Sequence, residues 1–334
     1  MRHHWHRRHF LKTAAAAAGA VALPRAVFAQ NYPTRPITLV VPFAAGGSFD
    51  VLGRVIQPRL GELLGQNVIV ENVTGASGVT GCMRVVNANP DGYTILLGTV
   101  GTYAYNPSIF KKLSYDPVKD FTHVGLFADQ PMVLVVNPKA QPNNLQEFVA
   151  FVNANREKIS FGSAGVGSTT HLSCALVNAT IGGKEPVHVP FRGGGPAMAE
   201  IMAGRIEYGC SNIGGVIEQI KGGTLKAIAN LSQNRSDALP DLKTADEQGF
   251  KDFNVTTWNC LSLPKNAPAD IVAKVNKAMS DTVDTPAVIE LLSKHGVAPV
   301  PKAQRSPEYL VKFIPEEIKR WEGPIKAAGI QQDK

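Results

Sequence analysis

Short runs of β-branched and apolar residues recur along this chain, each closed by a glycine-bearing loop and followed by an apolar pattern at helical spacing. That repeat restricts the chain to an α/β sheet fold. Ile37 to Phe43 (ITLVVPF) is a continuous β-branched stretch, as expected of a strand covered on both faces. It opens through Ala44, Ala45, Gly46, Gly47 and Ser48 into Val51, Leu52, Val55, Ile56, Leu60 and Leu63, with Gly65 as the expected helix stop. A second unit follows, with a strand at Val68 to Val70, a glycine loop at Gly75 to Gly78 and a helix to about Ala88. Pro90-Asp91-Gly92 makes a turn, and the strand Thr94 to Leu97 opens into Gly98 to Tyr105.

Two later stretches have the character of crossings between domains. Met132 to Val136 (MVLVV) runs into Asn137-Pro138, and Asn254 to Leu263 alternates polar with apolar residues before Pro264. Between them lies a self-contained α/β set, with a helix near Leu145 to Asn155 and strands at Ile159 to Phe161, Val187 to Pro190, Ile206 to Cys210 and Lys226 to Ala229. Helices are expected again at Ala269 to Ser280, Pro286 to Lys294 and Pro307 to Ala328. The chain therefore leaves a first domain, builds a second and returns. The expected division is residues 30–131 plus 257–334 against 132–256.

The net charge of +7 belongs mostly to the first 29 residues. They hold Arg2, Arg7, Arg8, Lys12 and Arg25 and no acid, which leaves 7 − 5 = +2 for the rest. Near neutrality with scattered Lys and Arg gives nucleic-acid binding little support. Residues 1–29 have the order of an export signal: a basic stretch to Lys12, the small apolar run Ala14 to Leu23, and Ala26-Val27-Phe28-Ala29 as a cleavage site. Arg7-Arg8-His9-Phe10-Leu11-Lys12 matches the twin-arginine signal, with an ordinary Sec leader as the alternative. Cleavage near Ala29 would release a mature protein into the periplasm. The apolar run is shorter than the roughly 20 residues that span a bilayer. Cys82, Cys174, Cys210 and Cys260 are far apart with no C-x-x-C, which disfavours zinc. Buried single thiols are the expectation, with up to two disulfides as the alternative.

In open α/β sheets ligands bind where strand ends lead into helix N-termini, and those termini carry unpaired N–H groups that attract anions. Three loops have the composition for it: Pro42 to Asp50 (PFAAGGSFD), Gly162 to His171 (GSAGVGSTTH) and Phe191 to Pro196 (FRGGGP), whose Arg192 is the only cation in any of them. Ser48 or Asp50, and Ser168 or Thr169, read equally as helix caps. Asp50 could meet a ligand ammonium or hydroxyl, or hold its own loop. A single histidine such as His171 is more often packed in a core than reactive. Catalytic patterns are missing: there is no phosphate-binding G-x-x-x-x-G-K-[ST], no G-x-S-x-G elbow and no metal-spaced histidines. An enzyme would have only Asp50 or His171 as a base in such a cleft.

The ordered series Pro42-x-x-x-Gly46-Gly47-Ser48-x-Asp50, Val70-Glu71-Asn72, Pro90-Asp91-Gly92-Tyr93-Thr94, Asn106-Pro107, Gly165-Val166-Gly167-Ser168 with His171-Leu172, Pro190-Phe191-x-Gly193-Gly194 and Leu239-Pro240-Asp241 resembles the Bug family over about Pro33 to Ala328. These are periplasmic receptors of tripartite tricarboxylate transporters. The resemblance implies a two-lobed periplasmic-binding-protein fold of type II, a Venus flytrap, that works as a monomer without cofactor, metal or enzymatic activity. Its partners would be a small organic carboxylate and the membrane subunits of the transporter. A periplasmic sensor that reports a carboxylate to a membrane-bound regulator is the alternative.

In that family, loop amides and ordered waters from both lobes hold one carboxylate, near the segments matching Ala45 to Asp50 and Ser163 to Thr169. Carried over, Gly46, Gly47 and Ser48 donate from one lobe, and Gly167, Ser168 and Thr169 from the other. The far end of the solute would meet Phe49, Thr99, Thr102, Arg192, Ser211 and Asn212. Phe49 stands where the family often has a small residue, Phe191 where Tyr is common, and Asn259-Cys260 where an aromatic and Gly are usual. Two phenylalanines and Arg192 would suit a carboxylate with an apolar body and a second anionic group. Arg192 projecting to solvent or pairing with an acid is the alternative.

Overall fold

A computed structural model describes residues 32–251 and 253–330; the leader expected over residues 1–29 lies outside the described residues. The first lobe starts with β1 (Ile37–Val41), α1 (Ser48–Leu64), β2 (Val68–Asn72), α2 (Val79–Val86) and β3 (Thr94–Thr99). The β1 strand lies between β2 and β3 and is parallel to both. Along α1 the spacing Phe49, Leu52, Ile56, Leu60, Leu64 puts one stripe into the core. Each such side chain contributes about 1.5–3 kcal/mol on burial. The helix stops where Gly65 turns left-handed at φ +77°, closing on the Gly61 carbonyl.

After β3 the chain makes a π-helical turn at Gly101–Tyr105, then α3 (Asn106–Ile109). It next enters β4 (Phe121–Val136), a 16-residue strand that serves both lobes. From Phe121 to Pro131 it pairs with the strand Thr256–Pro264; from Met132 onward it pairs instead with the strands Tyr208–Asn212 and Lys226–Asn230. One strand thus leaves one sheet and enters the next without a loop. Its first half was not evident as a strand from sequence. Two register shifts, at His123/Gly125 and Leu126/Ala128, break the alternation that would have revealed it.

The second lobe contains α4 (Leu145–Asn155), β5 (Ser160–Ser163), α5 (Thr169–Ile181), β6 (Val187–Pro190), α6 (Gly194–Met202), β7 (Tyr208–Asn212), α7 (Ile217–Lys221) and β8 (Lys226–Asn230). Its parallel core is β6-β5-β7, with β4 antiparallel at the side. The chain returns through β9 (Thr256–Pro264), antiparallel between β3 and β4, and continues into α8 (Ala269–Asp284), α9 (Pro286–Lys294), β10 (Ala298–Pro299) and α10 (Pro307–Ala327). The α8 and α9 helices share the α1 side of the first sheet, and α10 packs over the π-helical turn and β4. No described helix is long and apolar enough to cross a membrane.

Candidate functional site

Three helices start at the seam between the lobes, and two of them have no side-chain cap. For α1 the N-cap is Gly47, and for α6 it is Gly193; neither offers an oxygen to the first-turn N–H groups. The first-turn amides of a helix have no intrahelical acceptor, and the aligned peptide dipoles add about half a positive charge there. The α1 and α6 ends face each other across the seam. A Cβ at Gly47 would lie 3.6 Å from the Gly195 nitrogen and 3.7 Å from the Gly194 nitrogen. The third helix, α5, is capped by Ser168, which accepts from the His171 N–H at 3.3 Å. It still leaves Thr169 at the seam. From the position of a Gly101 Cβ, Thr169 Oγ1 is 3.3 Å, Thr99 Oγ1 3.5 Å and Thr169 N 3.6 Å away.

The lobes also touch directly. Ser48 Oγ donates to Asn212 Oδ1 at 3.1 Å, and Ser77 Oγ donates to the Val166 carbonyl. This is a closed arrangement. Several polar groups at the seam and hinge lack a partner inside it: Asn212 Nδ2, Asn259 Nδ2, Gln130 Oε1 and Asn106 Oδ1 are all buried and unbonded. Gln130 Nε2 donates to Asn259 Oδ1 at 2.7 Å, so their amide groups saturate only one half of each other. Rotating both amides by a half-turn would still leave one donor and one acceptor. A buried polar group left without a hydrogen-bond partner costs about 1–3 kcal/mol.

The loops' own hydrogen bonds decide which expected donors remain free. The Gly46 N–H goes to Asp50 Oδ2 at 2.9 Å, and Gly47 N–H points back to the Ala44 carbonyl at 3.4 Å. On the second lobe, Gly167 N–H is taken by His171 Nδ1 at 3.1 Å and Ser168 N–H by the Gly165 carbonyl at 3.1 Å. Ser163 Oγ is committed to Gly165 and to His188 Nε2, the latter at 2.6 Å. These five residues build the loops. The amides of Ser48, Phe49, Thr169, Gly194 and Gly195, with the hydroxyl of Thr169, are what the loops present, while the Ser48 hydroxyl is given to Asn212.

Other expected residues fall in less direct places. Ala45 is exposed, with its carbonyl turned toward Gly195. The Phe49 ring packs into the first-lobe core, 4.8 Å from that of Phe43. Thr102 is a buried brace: its N–H donates to Thr99 Oγ1 at 3.3 Å, while its hydroxyl links the Thr99 N–H and carbonyl. Ser211 Oγ donates to the Asn212 carbonyl at 3.2 Å. Arg192 is exposed and makes no ion pair among the described residues. It stands on an interlobe groove of about 420 Å³, lined by Phe43, Ser77 and Phe110 on one side and Val166 and Phe191 on the other. Gly194, Gly195, Gln130 and Asn259 were not singled out as ligand contacts. The glycine run at 193–195 was a signal for the first two, whereas nothing local distinguishes a buried Gln or Asn on a strand.

Asp50 is a scaffold group. Besides Gly46, it takes two bonds from Arg54 Nε, both 3.0 Å. Burial alone would raise its pKa, but the Arg54 guanidinium and the Gly46 amide together hold the carboxyl below its ordinary value. Asp50→Ala is expected to cost about 1.5–3 kcal/mol and to loosen the Gly46 turn. A urea midpoint equal to that of the unchanged protein would contradict this role.

His171 and His188 stack at 3.8 Å between ring centroids, with Phe161 on the same pile. Because Gly167 donates to Nδ1, the His171 ring is neutral with its proton on Nε2. Burial, and then the neighbouring His188, bring its pKa down to about 3; burial likewise brings His123 down to about 4. Both folded values lie below the ordinary 6.5, so the unfolded chain binds protons that the fold excludes. The stabilisation is complete above pH 6.5 and is lost as pH falls from there toward 4. The expected slope is about 1.4 kcal/mol per pH unit for each of these two histidines, and His188, which burial brings down to about 4, adds a third such contribution. Urea melts at pH 7.5, 6 and 5 measure it, and His171→Phe should flatten the slope.

Residues 6–24 match the twin-arginine translocation signal sequence, so the protein is exported to the periplasm. Residues 52–330 match the tripartite tricarboxylate transporter family receptor. The structure of the periplasmic binding protein BugD superposes with a TM-score of 0.87 at 34% identity, covering 90% of this chain and 99% of that one. MatC of Rhodopseudomonas palustris, solved with bound malate, gives 0.84 at 36% identity over 88% of this chain and 100% of the other. A second R. palustris protein, solved with adipate, gives 0.85 at 30% identity over 90% and 99%. The fold is the two-lobed periplasmic-binding-protein type, and the family's members are binding proteins, not enzymes. The chain belongs to the tripartite tricarboxylate transporter receptor family.

Proposed function

We propose that this receptor captures a small organic carboxylate between its lobes and delivers it to the membrane subunits of a tripartite transporter. The observation that carries the reading is the convergence of uncapped helix N-termini from both lobes, α1 on one side and α6 on the other, beside the Thr169 end of α5. Donors alone, with no cation between them, match an oxyanion. Ser48, Phe49, Thr169, Gly194 and Gly195 would hold one carboxylate. Asn212, Gln130 and Asn259 would meet further polar groups of the solute, and Arg192 an anionic far end. Since the two sets of donors sit on different lobes, the anion stabilises the closed state over the open one, and no covalent step is needed. The malate and adipate held by the two relatives support a dicarboxylate.

A thermal-shift screen of the mature protein against mono-, di- and aromatic carboxylates tests this. The right solute should add about 2.7 kcal/mol of stability at a hundredfold excess over its Kd. No shift from any carboxylate at millimolar concentration would refute the reading.

A further inference from the structure

The Sγ atoms of Cys174, on α5, and Cys210, on β7, stand 2.6 Å apart, and both residues are completely buried in the second lobe. Non-bonded heavy atoms settle at about 3.5–4.0 Å, whereas bonded sulfurs lie about 2.05 Å apart. The observed separation is inside any thiol–thiol contact and needs only a small approach to become a bond. Cys82 and Cys260 differ: they lie beside the hydroxyls of Tyr115 and Ser262.

We propose that Cys174 and Cys210 form a disulfide in the exported protein. It would join the helix that opens at Thr169 to the strand that ends at Asn212, so two segments at the seam would be held in one register. The two residues are 36 apart in sequence, so the bond would also close a long loop of the unfolded chain. The periplasm permits it. The two thiols lose two protons and two electrons to an oxidant bearing its own disulfide, a dithiol oxidase protein or glutathione disulfide, which is reduced to two thiols. One thiolate attacks the oxidant to give a mixed disulfide, and the other displaces it. Burial keeps the Cys174 thiol protonated in the close-packed lobe, so the exchange takes place when local opening of the lobe after export lets solvent and the oxidant reach the sulfurs.

The test counts thiols and is independent of any ligand. Full mature protein collected from the periplasm is denatured in guanidinium with iodoacetamide and no reductant, then weighed intact. Two alkylated cysteines are expected, rising to four after prior treatment with dithiothreitol, and a non-reducing digest should contain one peptide joining Cys174 to Cys210. Reduction should also lower Tm by about 5 °C or more in the unchanged protein and not in the Cys174→Ala, Cys210→Ala double variant. Four alkylated cysteines in the periplasmic protein, and again after refolding with glutathione disulfide, would overturn the proposal. If the double variant does not fold, the thiol count of the unchanged protein still decides.

Discussion

Replacing Gly193 with alanine is expected to hold the lobes apart and to weaken carboxylate capture by about a hundredfold or more, with each lobe still folded. Gly193 has φ 165° and ψ 167°, an extended backbone open to any residue, so the substitution strains nothing locally. Its effect comes from across the seam. An added Cβ would lie 2.7 Å from the Ala44 Cβ and 2.9 Å from the Ala44 nitrogen. Those atoms belong to the backbone loop that feeds α1, and no side-chain rotation can move them away. Relief comes only from separating α6 from that loop, which also separates the amides of Gly194 and Gly195 from those of Ser48 and Phe49. A bias of about 2.7 kcal/mol against closure reduces the apparent affinity about a hundredfold. Small-angle scattering should show wild-type protein compacting with ligand and Gly193→Ala remaining extended. Gly323→Ala, where an added Cβ meets nothing within 4 Å, serves as the control. A Gly193→Ala protein that binds as tightly as wild type would mean that the closed seam is not the binding state.

Much of the fold is legible in the sequence because its strands are buried on both faces and its loops carry glycine. The run ITLVVPF and the stop at Gly65 anticipate β1 and the end of α1 closely. The first half of β4 was not legible, since Gly125 and two bulges interrupt its period. The candidate site was readable in location and not in detail. Composition points to the glycine loops, but whether a given N–H faces a ligand depends on which acceptors lie behind it. Asp50 absorbs Gly46, His171 absorbs Gly167, and the Gly165 carbonyl absorbs Ser168; each acceptor is only three or four residues away, but composition does not say which way the loop turns it. Asn259 stood out only as a departure from the family, and its partner Gln130, 129 residues away, did not stand out at all.

Thr169→Asp is expected to abolish measurable carboxylate binding while leaving the ligand-free protein about as stable as before. Thr169 opens the 13-residue helix α5, and an acidic residue in a first turn is favoured by about 0.3–1 kcal/mol. The open form, in which the seam is wet, therefore tolerates the change. On closure the same carboxylate would stand among the very N–H groups proposed for the solute, opposite Thr99 and Gly101. Two carboxylates about 4 Å apart repel by about 4 kcal/mol at an effective dielectric of 20, close to a thousandfold in affinity. Thr169→Ser keeps the hydroxyl and the amide and should bind within a few-fold of wild type. The pair of variants separates charge from packing: a steric effect would spare neither the free protein's melting temperature nor the binding of an uncharged amide analogue, whereas electrostatic exclusion acts on the anion alone. Undiminished carboxylate binding by Thr169→Asp would place the solute's negative charge away from α5 and leave α1 and α6 to hold it without the start of the second lobe's longest helix.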